Sequence, residues 1–145
     1  MVSIIENKKA LFEYIILERF LSGIQLMGTE VKSIRQSKAS ISEAYCHISN
    51  NEIFIKSMHV SDYNQIKHTN HLPLRDRKLL LHRREISKLQ KAVKEKGLTI
   101  VPLAIKLSES GFIKVEIGLV KGKKAHDKRD SIKEKDIKRE LERIT

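Results

Sequence analysis

Cysteine is almost absent from this sequence: Cys46 is the only one among 145 residues. No intramolecular disulfide can form, and no multi-cysteine metal cage exists. Cys46 sits between Ala44 and Ile48 in an alternating segment, the position of a small buried strand residue rather than a nucleophile. There is no 18-residue apolar run and no charged-then-apolar leader, so the chain is expected to be soluble and cytoplasmic with no membrane partner. Internal repeats are missing as well. His59, His68, His71 and His82 include no close pair at i, i+4 spacing, and no cysteine or carboxylate completes a metal site beside them. Paired-carboxylate and nucleophile–base spacings are equally lacking. The expectation is a binding protein with no metal and no cofactor, not an enzyme.

What the sequence has is positive charge. Lysine and arginine number 29 against 18 acidic residues, for a formal net charge of +11 and a pI near 9.8. A polyanion is the natural partner, nucleic acid first among them. Residues 75–96 hold 9 basic and 3 acidic side chains, a density that suits phosphate neutralisation. With 40% hydrophobic residues, the chain can bury one core. After Val120 the composition changes: residues 121–145 carry 10 basic and 6 acidic side chains with scattered aliphatics. This sets the expected organisation as a domain over 1–120 and a basic C-terminal tail over 121–145. Ile132, Ile137, Leu141 and Ile144 lie near one helical face, too sparse a stripe to hold an isolated helix. The tail is expected to be disordered alone and helical when bound.

Hydrophobic periodicity points to a mainly β chain with short helices. From Phe112 to Val120, Ile113, Val115, Ile117 and Leu119 alternate with Lys114, Glu116 and Gly118. Leu103, Ile105 and Leu107 alternate before them, so a hairpin with its turn at Ser108–Gly111 is predicted, Pro102 marking an edge or a bulge. A second hairpin is predicted from Ala44–Ser49 and Glu52–Met58 around Asn50 and Asn51, residues that tolerate positive φ. Tyr14–Leu26 adds strand, broken near Ser22-Gly23. Thr29 is expected to cap a short helix that turns Val31 and Ile34 inward, and Glu85–Lys96 places Ile86, Leu89 and Val93 on one stripe that stops at Gly97. His59–His71 reads as a long loop. Short antiparallel strands are best relieved of open edges by an OB-like antiparallel β-barrel with flanking helices.

Several motifs in one order carry a family resemblance: Glu6-Asn7-Lys8-Lys9-Ala10, Gly28-Thr29-Glu30-Val31-Lys32-Ser33-Ile34-Arg35, Pro73-Leu74-Arg75, Arg77-Lys78-Leu79-Leu80-Leu81-His82, Lys94-Glu95-Lys96-Gly97-Leu98, and Lys121 through Arg129. Together they resemble the small protein B family, from about Glu6 to the C-terminus. The resemblance implies an OB-like barrel that grips the tRNA-like domain of transfer-messenger RNA (tmRNA) and delivers it, aminoacylated, to stalled ribosomes for rescue by trans-translation. It also implies that the tail occupies the vacant mRNA channel at the small-subunit decoding site. The partners it implies are tmRNA, the ribosome and the translational GTPase elongation factor Tu, with the protein itself a monomer.

Candidate RNA-binding residues follow. Asn7, Lys8 and Lys9 form a small basic arm. Glu30, Lys32 and Arg35 are placed outward on the short helix, Glu30 orienting a cation or accepting from a base amine or ribose 2′-OH. Asn70 and His71 are placed for stacking or phosphate contact beside Arg75, Arg77 and Lys78. Gly122 lets the backbone bend while Lys121, Lys123 and Lys124 approach phosphate. His126, Asp127, Lys128, Arg129 and Ile132 are the ribosome-facing tail. Leu11-Phe12, Leu21 and Leu72 depart from the polar residues usual in the family, and Leu11, Leu21 and Leu72 are left out of the candidate site. The competing reading is a general OB-fold RNA chaperone or ribosome-associated protein, which would bind RNA without preference for a tRNA-like fold.

Overall fold

The computed structural model describes residues 1–63 and 71–123. In chain order the elements are β1 (Val2–Glu6), α1 (Lys8–Glu13), β2 (Tyr14–Ile24), α2 (Gly28–Arg35), β3 (Ala39–Ser40), β4 (Tyr45–Ser49), β5 (Glu52–Lys56), β6 (His59–Val60), β7 (Arg77–Leu80), α3 (Arg83–Lys96), β8 (Thr99–Leu107) and β9 (Ile113–Gly122). Seven strands pair antiparallel in the order β1-β8-β9-β2-β7-β5-β4, and β3 pairs with β6. The architecture is mainly β and OB-like.

Both predicted hairpins are present. Ile113, Val115, Ile117 and Leu119 of β9 point into the core, as the alternation requires. Asn50 and Asn51 have φ of 52° and 63°, the pair of positive values that a two-residue hairpin turn demands. Pro102 sits at a register shift in the β8–β9 ladder, the bulge that a residue without an N–H favours.

β2 differs from expectation. It runs unbroken through Ser22 and Gly23, because these residues answer crowding rather than a turn. Ser22 is buried and its hydroxyl donates to the Val115 carbonyl (2.9 Å). Gly23 faces Leu80, whose Cβ would lie 3.3 Å from a Cβ built at position 23. The irregularity lies instead between Ile16 and Glu18, where the register against β9 shifts. A bulge reverses which side chains face inward. Ile16 accordingly packs with Ala10, Val101, Leu103 and Val120 on one side, while Phe20 enters the main core on the other.

The barrel is not closed by hydrogen bonding among the described residues. β1 pairs with β8 only from Ala104 to Leu107, and β4 lies against β8 without a ladder. Helix α3 contributes Ile86 and Leu89 to the core, and Gly97, with φ of 64°, ends it as the sequence indicates. Val93, expected on the same stripe, is exposed. The expected 59–71 loop begins as strand β6, and residues 64–70 lie outside the described residues.

Candidate nucleic-acid interface

Among the described residues, the cations and polar residues singled out from the sequence fall into two neighbourhoods. The first joins α2 to the segment entering β7. Glu30 was expected to face outward; it is fully buried, because its carboxylate pairs with two arginines brought beneath α2. Oε1 accepts from the Met27 N–H (2.7 Å) and from Arg75 Nη2 (2.6 Å), while Oε2 accepts from Arg75 Nε (3.2 Å) and Arg77 Nε (2.6 Å). Four donors fill the capacity of a carboxylate. Glu30 therefore has no lone pair to offer a base amine or a ribose 2′-OH, and that role is corrected. It is also the true capping group of α2. Thr29, expected there, is buried within the helix.

Arg77 is corrected in the same way. It is fully buried, and each of its five N–H donors meets a protein acceptor. Nε is taken by Glu30, Nη1 donates to the Met58 and Arg75 carbonyls (2.8 and 2.9 Å), and Nη2 reaches the Leu72 and Pro73 carbonyls (3.4 and 3.2 Å). No donor remains for phosphate. His71, expected to stack on a base, is buried, with Nδ1 2.8 Å from Thr29 Oγ1 and Nε2 2.9 Å from the Val60 carbonyl. It ties the segment before β7 to α2 and β6.

Around this hub lie the accessible cations. Arg75 is one-third exposed. Lys32 is exposed, its ammonium 5.4 Å from the centre of the Tyr63 ring. Arg35, also exposed, donates to the Gly111 carbonyl (2.8 Å). Lys78 pairs with Glu52 at 2.5 Å. Asn70 lies outside the described residues.

The second neighbourhood is the end of α1 beside the end of β9. Asn7 is not part of an exposed arm: it is buried, and it works where the barrel lacks a ladder. Its Oδ1 caps α1 by accepting from the Ala10 N–H (3.0 Å), and its Nδ2 donates to the Ile41 and Pro102 carbonyls (3.0 and 2.8 Å). One side chain thus ties α1, the β3–β4 connection and β8. Lys8 is exposed, and Lys9 pairs with Glu43 at 2.7 Å. Lys121 and Gly122 are still within β9, opposite Ile15 and Tyr14, and the Lys123 N–H donates to the Glu13 carbonyl (2.9 Å). A boundary at residue 120 therefore cuts a paired strand, whose pairing among the described residues runs on through Gly122. Lys124, His126, Asp127, Lys128, Arg129 and Ile132 lie outside the described residues.

The basic density of residues 75–96 includes the outer face of α3, whose Arg83, Arg84, Lys88, Lys91 and Lys94 are exposed but were not singled out one by one. Their spacing over one helical arc was the available signal. A surface groove of 780 Å³ opens at the start of that helix, lined by Leu21, Leu80, Lys78, Arg83 and Lys114. Leu11, Phe12, Leu21 and Leu72 are all exposed. Cys46 is buried, and burial pushes its thiol up, out of reach of thiolate chemistry.

Two predictions arise here. Asn7→Ala removes a cap, takes the acceptor from the Ala10 N–H and takes a donor from the Pro102 and Ile41 carbonyls, of which Ile41 keeps the Ala44 N–H (3.1 Å). It should cost about 2–3 kcal/mol, read from urea unfolding. The second concerns acid. Burial, the largest single influence on Glu30, raises its carboxyl, but the hydrogen bonds from Arg75, the Met27 N–H and Arg77 outweigh it and hold the group below the usual carboxylate range. A depressed carboxyl contributes stability that is present above its unfolded value, about 4.3, and is lost as pH falls through the lower folded value. Wild-type stability should therefore fall across that acid window. Glu30→Gln, less stable at neutral pH, should lack this part of the acid slope in urea midpoints taken from pH 7 downward.

Fold and surface together define a small OB-like protein with a cationic exterior, braced by buried polar clasps. A family model described as SmpB protein matches residues 4–145. The chain is 56% identical over 140 residues to an SsrA-binding protein of Cytophaga hutchinsonii, covering 97% of this chain and 92% of that one. It is 54% identical over 140 residues to one of Acholeplasma laidlawii, covering 97% and 93%. A solved chain described as "tmRNA-SmpB: a journey to the center of the bacterial ribosome" superposes with a TM-score of 0.72 at 39% identity, over 88% of this chain and 92% of that one. This chain belongs to the SmpB protein family. Among the described residues, no helix is long and apolar enough to cross a membrane.

Proposed function

We propose that the folded body binds the tRNA-like domain of tmRNA and brings it to stalled ribosomes for trans-translation. The residues after Lys123 then enter the vacant mRNA channel at the decoding site and take helical form there. The observation that carries this reading is the shared fold and 39% identity with a chain solved as tmRNA-SmpB in the bacterial ribosome. Arg75, Lys32, Arg35, Lys8, Lys121 and Lys123 are the phosphate-facing groups, and Glu30, Arg77, His71 and Asn7 hold the surfaces that present them. Lys78 and Lys9 meet RNA by exchanging Glu52 and Glu43 for phosphate, a modest change because such pairs are weak in water. Asn70, Lys124 and the tail residues His126, Asp127, Lys128, Arg129 and Ile132 complete the contacts on tmRNA and ribosome. The protein acts in the cytoplasm as a monomer, by binding rather than catalysis, and hands aminoacylated tmRNA to the ribosome together with elongation factor Tu.

Competition tests this. Labelled tRNA-like domain bound to the protein at physiological salt should resist equal concentrations of unrelated duplex or single-stranded RNA. Displacement by those RNAs would show a general OB-fold RNA chaperone instead.

A further inference from the structure

The Glu30 cluster holds one carboxylate and two guanidiniums, so it carries one surplus positive charge. Arg77 is enclosed and has no free donor, which leaves Arg75 as the group through which that charge meets solvent. The geometry of Arg75 is uneven. Its Nε and Nη2 edge clasps Glu30 (3.2 and 2.6 Å), and Nη2 also lies 3.5 Å from the Gln25 carbonyl. Nη1 has only a long contact to the Asp76 carbonyl (3.4 Å). The clasped edge fixes the plane of the guanidinium, and the Nη1 edge is left with donors to spare.

Arg77 adds a second constraint. By bonding the carbonyls of Leu72, Pro73 and Arg75, it pins the backbone that carries Arg75. The same guanidinium also holds Glu30, so one buried ion pair fixes both the support and the clasp of the exposed arginine. A mobile surface lysine would lose side-chain entropy on meeting a phosphate. An arginine already immobilised loses less, and its planar fork suits a phosphate oxygen.

We infer that Arg75 is a preset phosphate-binding residue on the RNA face, and that Glu30 and Arg77 are the positioning residues that aim its Nη1 edge outward. The inference rests on the RNA-binding reading and assigns unequal roles to residues that sequence alone treats as equivalent contacts.

The test uses full-length protein and the tRNA-like domain of tmRNA, with affinity measured across a salt series and folding followed by thermal melting. Arg75→Gln should bind about tenfold more weakly, and its slope of log affinity against log salt should be shallower by about 0.7–0.9, the signature of one lost phosphate contact. Arg75→Lys keeps the charge but cannot keep the clasp, so the slope should stay while affinity falls. The double variant Glu30→Met with Arg77→Met removes the buried pair together and should bind like Arg75→Lys. Should that variant not fold, the two Arg75 variants decide alone. An unchanged slope in Arg75→Gln overturns the contact, and wild-type affinity in Arg75→Lys overturns the positioning. Wild-type protein that fails to select the tRNA-like domain in the first place overturns the functional reading, and this inference with it.

Discussion

Arg77→Met should lose about 3–5 kcal/mol of stability, the cost typical of removing one partner from a buried ion pair. Methionine fills similar volume, so the loss is electrostatic rather than a cavity effect. Glu30 keeps Arg75, but the Met58 and Arg75 carbonyls lose the guanidinium donors that met them inside the fold, while Leu72 and Pro73 keep only the Arg75 and Val60 N–H groups. An unsatisfied buried acceptor costs more than a typical hydrogen bond is worth. Melting temperature should drop on the order of 10 °C for a domain of this size. Arg77→Lys should rescue little, since an ammonium has three donors on a flexible stem where five in a plane are used. Arg75→Met serves as the control, because Arg75 is partly exposed and Glu30 keeps Arg77; it should cost about 1 kcal/mol. If Arg77→Met melted with the wild type, the hub would not be organising the segment before β7.

That contrast shows where sequence reading stops. The alternation of β9 and the Asn50-Asn51 turn are local, so their physics is written in adjacent residues. The same holds for the α3 stop at Gly97. Glu30 and Arg77 lie 47 positions apart, and their burial depends on a closure that no short window contains. Helical spacing put Glu30 with Lys32 and Arg35 as a polar residue, and polar residues are mostly outside. The exception arises where the carboxylate meets two guanidiniums and an amide. Asn7 was misread for a related reason. Flanked by Lys8 and Lys9 it looks like part of a basic arm, yet an amide has both donor and acceptor and can cap a helix while bridging two carbonyls across a gap in the sheet. Ser22-Gly23 carried turn chemistry locally and close packing against Val115 and Leu80 globally, and the packing prevails.

The other large effect concerns the chain beyond the barrel. β9 is held on both sides through most of its length, by β8 as far as Val120 and by β2 as far as Gly122, and the Lys123 N–H is held by Glu13. A cut after Lys123 consequently spares every ladder bond of the described residues, whereas one after Val120 strips β2 of partners at Tyr14 and Ile15. The shortened protein should melt with the wild type. The 22 residues removed are mostly charged, with Ile132, Ile137, Leu141 and Ile144 among their few aliphatics. So little apolar surface stabilises a helix poorly without a partner, and the proposed role supplies that partner in the mRNA channel. Binding to the tRNA-like domain should stay within about tenfold of wild type, with a shallower salt slope because tail cations add a non-specific term. Peptide tagging on stalled ribosomes should fall to background. Parallel loss of binding and rescue would place the RNA grip in the tail and contradict a two-part division of labour. Full rescue by the truncated body would show that the barrel alone commits the ribosome.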